Sequence, residues 1–406
     1  MSWTTIKLLD ICDNANGKIQ TGPFGSQLHQ SDYSDEGIPV IMPKDMVNGR
    51  ISENSIARVS ETWVEKLSKH KVSVGDIIYS RRGDVGRCAI ITEEEAGWLC
   101  GTGCLRVSVD TSLACPQYVF YYLQQSDVVK WVEQHAIGST MLNLNTEILG
   151  GIPLSLPPLP IQRRIADILS AYDDLIENNQ RQIKLLEEAA MRLYREWFVF
   201  MRFPGHESVR IVDGVPEGWE KKKVSSIMKF VKGKNLGDVS FEKLDGYEKL
   251  LLLDGLESDV TTYGCAEKQV LAKDGDILML MDGARSSHTF ITDAGIVGST
   301  LSLIEITENQ IPVSYVKGYF DANLNLFVNN NTGSAIPHAN RKFIEGSDIL
   351  IPNLQLLENY DNISGVFLKR VRSLNHMNQQ LRISRDALLP RLMNGGEGLK
   401  LEGGGV

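Results

Sequence analysis

Two segments of the chain repeat apolar residues at alternating spacings of three and four. The first runs from about residue 161 to 200, with seam positions Leu169, Tyr172, Ile176, Asn179, Ile183, Leu186, Ala190, Leu193 and Trp197. The second has seam positions Phe367, Val371, Leu374, Asn378, Leu381, Arg385, Leu388 and Leu392. This heptad spacing predicts two long helices that pack on each other as a coiled coil. The alternative is two amphipathic helices, each packed separately on its own domain.

Each seam contains one asparagine, Asn179 or Asn378. A polar seam residue lowers stability but fixes the register of the two helices. At 1.5 Å per residue, a helix of about 35–40 residues is roughly 50–60 Å long. We therefore expect two antiparallel helices that separate two globular domains and relate them by pseudo-two-fold symmetry.

The segments outside these helices read as short strands between turns. Strands are predicted at 76–80, 88–92, 105–109, 277–280 and 301–306, and short helices at 116–125 and 126–135. A proline cluster from Pro153 to Pro160 predicts an extended linker before the first long helix. The predicted fold class is therefore mixed α/β (α+β).

The chain also repeats itself. The run GDIIYSRRG at 75–83 matches GDILMLMDG at 275–283, and YVFYYL at 118–123 matches YVKGYF at 315–320. Gly138-Ser139 matches Gly333-Ser334, and LPPL at 156–159 matches IPNL at 351–354. Four matches in order indicate a tandem duplication. The predicted domains are a first target-binding domain at 1–155, a helical region at 156–203, a second such domain at 204–353, a second helical region at 354–394, and a flexible tail at 395–406.

Composition and charge narrow the class of protein. The chain has 406 residues and a net charge of −9, which argues against a protein that coats DNA without specificity. We expect neither a membrane-spanning helix nor a secretory signal, because the apolar runs are short. Six scattered cysteines indicate free thiols in the cytoplasm. The spacing Cys100-x3-Cys104 could suggest zinc, but no second ligand pair accompanies it, and we predict no metal site.

No catalytic motif is present in the sequence. The chain lacks GxxxxGK[ST], HExxH and GxSxG, and its Pro157-Pro158 is not followed by the aromatic residue that an amino-methyltransferase uses. Together with the repeat, this favours a recognition protein over an enzyme.

Several segments resemble the DNA specificity subunit of type I restriction–modification enzymes. They are TGPFGSQL at 21–28, GIPVI at 37–41 with Asp45-Met46, GDII at 75–78, GST at 138–140 and IPLSLPPLPIQ at 152–162. The second half keeps only part of the proline cluster, IPNLQ at 351–355, and lacks GPFGS. This departure weakens residue assignments there more than it weakens the architecture.

The resemblance implies two target-recognition domains that each read one half of a split sequence in double-stranded DNA. It also implies helical regions that bind two methyltransferase (modification) subunits, and restriction and translocation subunits in the full complex. This chain would bind no cofactor, because S-adenosylmethionine and ATP with Mg²⁺ would belong to those partners.

Base edges are read most often by arginine, asparagine and glutamine, and phosphates by other polar side chains. The candidates of the first half are polar residues in glycine-rich loops: Ser26, Gln27, His29, Lys44, Arg81, Arg82, Arg87, Ser139, Thr140, Asn143 and Asn145. Those of the second half are Lys232, Lys234, Asn235, Arg285, Ser286, Ser287, His288, Ser334, His338, Asn340, Arg341 and Lys342.

Other interpretations remain at this stage. Arg81 and Arg82 could be a surface pair with acidic neighbours, and residues 138–140 could be a turn with a helix cap. The whole chain could be a coiled-coil adaptor that binds only proteins, or the recognition region of a fused restriction–methylation enzyme.

Overall fold

The structure is a computed structural model that describes residues 3–12, 17–138, 142–253, 261–333 and 336–395. Contacts between residues divide the described chain into two compact units. Unit 1 contains the described residues up to 176 together with 381–395, and unit 2 contains the described residues from 177 to 380. Each unit therefore combines a β-rich domain with part of each long helix.

Unit 1 is built from short strands and helices. The strands are β1 (Thr4–Lys7), β2 (Lys18–Thr21), β3 (Tyr33–Ser34), β4 (Ile38–Ile41), β5 (Met46–Val47), β6 (Arg50–Ile51), β7 (Ala57–Val59), β8 (Ile77–Ser80), β9 (Cys88–Ile90), β10 (Leu99–Cys100), β11 (Cys104–Ser108) and β12 (Pro153–Leu156). The helices are α1 (Glu61–Lys66), α2 (Pro116–Leu123), α3 (Ser126–His135), α4 (Thr146–Gly150) and the first half of α5 (Leu159–Tyr194).

Two four-stranded sheets carry unit 1. One has the strand order β2-β11-β8-β9 with antiparallel pairing, and the other has the order β10-β4-β7-β3. The pair β1–β12 joins the start of the domain to the strand that precedes α5. The main core lies between the first sheet, α2, α3 and the start of α5, and includes Tyr79, Tyr118 and Leu169.

Unit 2 repeats this plan. Its strands are β13 (Ile211–Val212), β14 (Val215–Pro216), β15 (Glu220–Lys223), β16 (Met228–Lys232), β17 (Val239–Ser240), β18 (Tyr247–Leu251), β19 (Thr262–Cys265), β20 (Leu271–Ala272), β21 (Ile277–Leu280), β22 (Thr289–Ile291), β23 (Gly295–Val297), β24 (Leu301–Ile306) and β25 (Asp348–Ile351). Its helices are α6 (Val224–Ile227), α7 (Val313–Ala322), α8 (Leu324–Asn329), α9 (Arg341–Gly346) and most of α10 (Leu354–Met393).

The sheets of unit 2 correspond to those of unit 1. The order β16-β24-β21-β22 matches β2-β11-β8-β9, and the pair β15–β25 matches β1–β12. The other sheet has five strands in the order β17-β19-β18-β23-β20. The predicted duplication, the mixed α/β fold class and the predicted strands are therefore confirmed, apart from boundaries that differ by one or two residues.

The two long helices pack on each other in both units. In unit 1, Leu389, Leu392 and Met393 of α10 join the core that contains Leu169 of α5. Arg385 of α10 forms an ion pair with Asp173 of α5, and Tyr121 of α2 donates to the same carboxylate at 2.6 Å. The charge of the seam arginine is thus neutralised by a carboxylate of the facing helix, which Tyr121 also holds in place.

In unit 2 the two seam asparagines meet. Asn179 Nδ2 donates to Asn378 Oδ1 at 2.8 Å, and both residues are buried. Further along, the rings of Tyr194 of α5 and Tyr360 of α10 meet edge to face, so from one contact to the next α5 advances while α10 runs back, and the helices are antiparallel there. The alternative of two separately packed helices is wrong for these residues. None of the predicted seam positions is exposed.

Candidate nucleic-acid interface

The predicted DNA-contacting loops begin where two backbone segments nearly touch. In unit 1, a β-carbon added to Gly22 would lie 2.0 Å from the carbonyl oxygen of Gly101. In unit 2, a β-carbon added to Gly233 would lie 2.2 Å from the carbonyl oxygen of Gly298. Only glycine fits at such distances. Strands β2 and β16 therefore end at equivalent points, and the loops after them start from the same place in each unit.

A second loop follows β8 and is held by backbone hydrogen bonds to residues 142–144. Leu144 N donates to the Arg81 carbonyl at 2.8 Å, and Gly83 N donates to the Leu142 carbonyl at 3.1 Å. Between these bonds, residue 82 pairs with Asn143 as an isolated antiparallel bridge. Residues 81–83 and 142–144 together are called the loop bridge of unit 1.

Unit 2 has the same loop bridge, formed by residues 281–283 and 337–339. Ala339 N donates to the Met281 carbonyl at 2.8 Å, and Gly283 N donates to the Pro337 carbonyl at 2.9 Å. Asp282 and residue 338 form the central bridge. The two units therefore present different side chains from equivalent, hydrogen-bonded backbone positions.

The loop bridge of unit 1 carries arginine and amide groups. Arg82 is exposed, and neither it nor Arg81 forms an ion pair within the described ranges. Arg81 Nε donates to the Leu144 carbonyl at 3.2 Å, and its guanidinium lies 5.8 Å from the centre of the Phe24 ring. Asn143 Oδ1 is buried and accepts no hydrogen bond from any residue that the structure describes. The acidic partners of a surface pair are thus missing among the residues described.

The loop bridge of unit 2 carries a carboxylate instead. His338 Nδ1 lies 2.7 Å from Asp282 Oδ1, and Lys232 Nζ lies 3.9 Å from Asp282 Oδ2. A carboxylate accepts from the amino group of cytosine, whereas arginine donates to guanine. Sequence reasoning missed Asp282 because it considered mainly basic, amide and hydroxyl side chains. Aligning the repeat, which places Asp282 at the position of Arg82, could have found it.

The other candidates in unit 1 differ in how free their side chains are. Ser26, His29 and Lys44 are exposed, and Lys44 Nζ donates to a backbone carbonyl at 3.1 Å. Gln27 Oε1 accepts from the backbone N–H of residue 24 at 3.1 Å. Arg87 forms an ion pair at 2.7 Å with the aspartate three residues before it. The first three side chains are therefore the more available ones.

Asn145 and Asn340 are equivalent helix caps. Asn145 Oδ1 accepts from Ile148 N at 2.7 Å, and Asn340 Oδ1 accepts from Phe343 N at 3.2 Å. Because the oxygen stabilises the first turn of α4 or α9, only the NH₂ group remains for another partner.

The candidates in unit 2 are mostly exposed. The exposed ones are Lys232, Lys234, Asn235, Arg285, His338, Arg341 and Lys342. Lys234 Nζ donates to a backbone carbonyl at 2.6 Å, and Arg341 pairs with Glu345 at 2.7 Å. The Arg285 guanidinium lies 5.6 Å from the centre of the Phe290 ring, and the Arg285 carbonyl is 2.8 Å from His288 Nδ1.

Ser286 and Ser287 are fully buried, contrary to what their loop position suggested. Ser286 Oγ accepts from Asn331 Nδ2 at 2.7 Å, and Ser287 Oγ donates to Asn331 Oδ1 at 2.8 Å. These hydroxyls hold the loop, and a contact with DNA would require the loop to open. Ser139, Thr140 and Ser334 lie outside the described residues, as does the tail from residue 396.

The described residues contain no group of three or more metal-ligating side chains of the kind that could hold an ion. Cys100 and Cys104 are buried, and burial raises the pKa of the Cys100 thiol to about 12. None of the helices in the described ranges is long and apolar enough to cross a membrane.

Residues 1–188 match the type I restriction modification DNA specificity domain. The specificity subunit of the type I restriction enzyme MjaIX from Methanocaldococcus jannaschii is 24% identical, over 97% of this chain and 93% of that protein. The HindI specificity subunit from Haemophilus influenzae is 23% identical, over 38% of this chain and 34% of that protein.

A solved structure has the same fold. The crystal structure of the type I restriction–modification S subunit from M. genitalium has a TM-score of 0.60 and 15% identity, and covers 97% of this chain and 96% of that one. Residues 1–188 thus match a DNA specificity domain, and over nearly its whole length the chain is similar to specificity subunits of type I restriction enzymes, with the same repeated fold as the solved S subunit. The matched domain is described as a DNA specificity domain, and the relatives are described as specificity subunits.

Proposed function

We propose that the chain reads a bipartite sequence in double-stranded DNA, with one half-site read by each unit, and directs two modification subunits to it. The restriction and translocation subunits join the full complex, S-adenosylmethionine and ATP with Mg²⁺ are bound by those partners, and the complex works in the cytoplasm. The protein-only adaptor is not favoured, since the family is defined by DNA specificity.

One observation supports the proposal that the chain recognises a two-part DNA sequence. The loop bridge has the same backbone hydrogen bonds in both units but carries Arg82 with Asn143 in one and Asp282 with His338 in the other. A rigid backbone position with a variable side chain suits a surface that discriminates between ligands. Arginine and asparagine match guanine and adenine, whereas aspartate matches the amino group of cytosine. Two units with different chemistry on one frame would read two different half-sites.

Paired substitutions test this proposal. Arg82→Ala should lower discrimination in one half-site by about 1–3 kcal/mol, and Asp282→Asn should do so only in the other half-site. The measurement is binding of the assembled complex to duplexes mutated in either half, after the target has been identified by methylation sequencing.

Each variant is the control for the other. Arg202→Ala adds a second control, because Arg202 is an exposed arginine outside both loop bridges and pairs with Glu196 at 3.3 Å. If Arg82→Ala and Asp282→Asn weaken both halves equally, or neither, the loop bridges do not read the two half-sites separately.

A further inference from the structure

One face of a unit 1 sheet carries charged residues close to its core. Arg106 of β11 stands opposite Gln20 of β2, and Arg106 Nε lies 3.8 Å from Asp76 Oδ2. The side chains of Arg106 and Asp76 are only 14% and 7% exposed. His70 is 4% exposed, and Gln20 Nε2 lies 3.3 Å from its Nδ1. Burying such groups costs desolvation free energy.

Unit 2 builds the same sheet with an equivalent aspartate, Asp276, but without the arginine. Where unit 1 pairs Gln20 with Arg106, the equivalent register of unit 2 pairs Val231 with Leu303. Both are apolar and belong to the packing of the unit 2 sheet. The fold therefore does not require the ion pair, and its presence in unit 1 alone indicates another role.

The neighbouring segment differs between the units in the same way. The pairing of Lys71 with Leu99 in unit 1 corresponds to that of Leu271 with Ile296 in unit 2. By this register, Lys69 and His70 are replaced in unit 2 by Gln269 and Val270. Only Lys18 has a basic equivalent, Lys229.

The exposed part of this region is positively charged. Lys18, Lys69 and Lys71 are exposed, and none of them forms an ion pair with any residue that the structure describes. Burial first, and then the positive charges of Lys69, Arg106 and Lys18, lower the pKa of His70 to about 4. The three cations thus surround one buried side chain. The NH1 group of Arg106 also donates to the Lys71 carbonyl.

This region adjoins the predicted DNA-contacting loop. Strand β2, which starts at Lys18, runs directly into Gly22 and the loop that contains Ser26 and Gln27. Lys71 pairs with Leu99, two residues before Gly101, whose carbonyl lies against Gly22. A duplex seated on that loop would pass beside these lysines.

We propose that Lys18, Lys69 and Lys71, the last of which is held through its carbonyl by the half-buried Arg106, form a site in unit 1 for the phosphates of the DNA backbone. The proposal rests on the proposed function and adds a part of the surface that sets position without reading sequence. Ammonium groups bind phosphates as point charges and displace counterions, so such a site contributes affinity that falls with salt. Unit 2 lacks this set of charges at the equivalent positions, so unit 1 would make the larger share of this contact.

The test is the salt dependence of DNA binding by the full chain assembled with its modification subunits. The variant is Lys69→Gln with Lys71→Gln, which reproduces the neutral character of unit 2. The slope of log affinity against log salt should become shallower by about 1.8, since each phosphate contact contributes roughly 0.9. The ratio of target to non-target affinity and the methylated motif should not change. The matched control is Lys7→Gln with Lys130→Gln, two exposed lysines of unit 1 outside this region, which should keep the wild-type slope.

Three outcomes would overturn the proposal. The first is that the slope of log affinity against log salt remains that of wild type. The second is that the preferred half-site changes. The third is that the variant loses a modification subunit while DNA binding keeps its salt slope. The last result would mean that the lysines bind an acidic protein surface. Failure of the proposed function has a different signature, because the wild-type complex itself would then show no preference for any duplex.

Discussion

His70 is a buried histidine among cations, and this makes the stability of unit 1 depend on pH. Its pKa is lowered to about 4 by burial and by Lys69, Arg106 and Lys18, although a contact with the Thr21 carbonyl acts in the opposite direction. In the unfolded chain the pKa is about 6.5. Between these values the unfolded state binds a proton that the folded state does not. The stabilisation is therefore complete above about pH 6.5 and is lost as the pH falls towards 4.

Replacing His70 by the valine that unit 2 has at this place should remove that dependence. Between pH 7 and pH 4, the unfolding free energy of wild type should fall by up to about 3 kcal/mol relative to that of His70→Val. Urea denaturation at several pH values measures it. Lys69→Gln should give an intermediate profile, because one repelling charge is removed. Parallel pH profiles for wild type and His70→Val would contradict this assignment.

At the level of single residues, sequence reasoning located the loops better than it located the free side chains. Arg82 and His338 lie on the loop bridges, as a search for polar loop residues could predict. Ser286 and Ser287 are instead buried on Asn331. Whether a loop hydroxyl faces solvent or a neighbouring segment depends here on a contact between residues that are 44 or 45 positions apart in the sequence. Local sequence does not encode such a contact.

At the level of elements, the paired asparagines explain a polar position in an otherwise apolar seam. The side chains of Asn179 and Asn378 hydrogen-bond to each other between α5 and α10, and both are buried. A shift of either helix by one turn would leave two buried amides without partners. The pair therefore disfavours other registers at some cost in stability.

Substitution of the pair should show strong coupling. Asn179→Leu or Asn378→Leu alone should cost about 1–3 kcal/mol, because the remaining amide is buried without a partner. The double variant should regain most of this loss, as apolar replacement of both partners is nearly neutral. Denaturation of the four proteins gives the coupling free energy as a double-mutant cycle.

Asn178 provides the control for this cycle. It is exposed on the neighbouring position of α5, so Asn178→Leu should change stability by at most about 0.5 kcal/mol. Additive losses in the double variant would mean that the two amides do not depend on each other.

Helices and strands were the most predictable part of the molecule. The heptad spacing predicts α5 and α10, and the GDI motifs predict β8 and β21, because these patterns are local and strongly periodic. The extra edge strand β20, which makes the second sheet of unit 2 five-stranded, has no such local signal, and unit 1 has only the isolated bridge of Lys71 with Leu99 at that place. The π-helical turn at Arg195–Val199, which ends the first long helix, also has none.

At the scale of the whole molecule, duplication has kept the backbone of the loops and changed several of their side chains. Equivalent glycines, loop bridges and cap asparagines recur in both units, whereas Arg82, Asn143, Lys69 and Lys71 do not. The backbone hydrogen bonds that both units share fix the position of each loop, and the residues that differ should determine what the loop binds. Each unit should then determine its own part of the target independently.

Exchange of one domain tests that independence. Replacing residues 205–350 with the corresponding domain of a related specificity subunit should change one half of the methylated sequence and leave the other half intact, as read by methylation sequencing. The donor must provide an aromatic residue at the position of Tyr315, because Tyr315 packs on Tyr194, Phe198 and Tyr360 of the long helices. A donor with a small residue there should fail through lost packing of about 3–5 kcal/mol rather than through altered recognition, and thermal denaturation distinguishes the two.

The reciprocal exchange of residues 1–155 is the control and should change only the other half. If a well-folded hybrid changes both halves at once, the two units read DNA jointly, and the correspondence between one unit and one half-site is wrong.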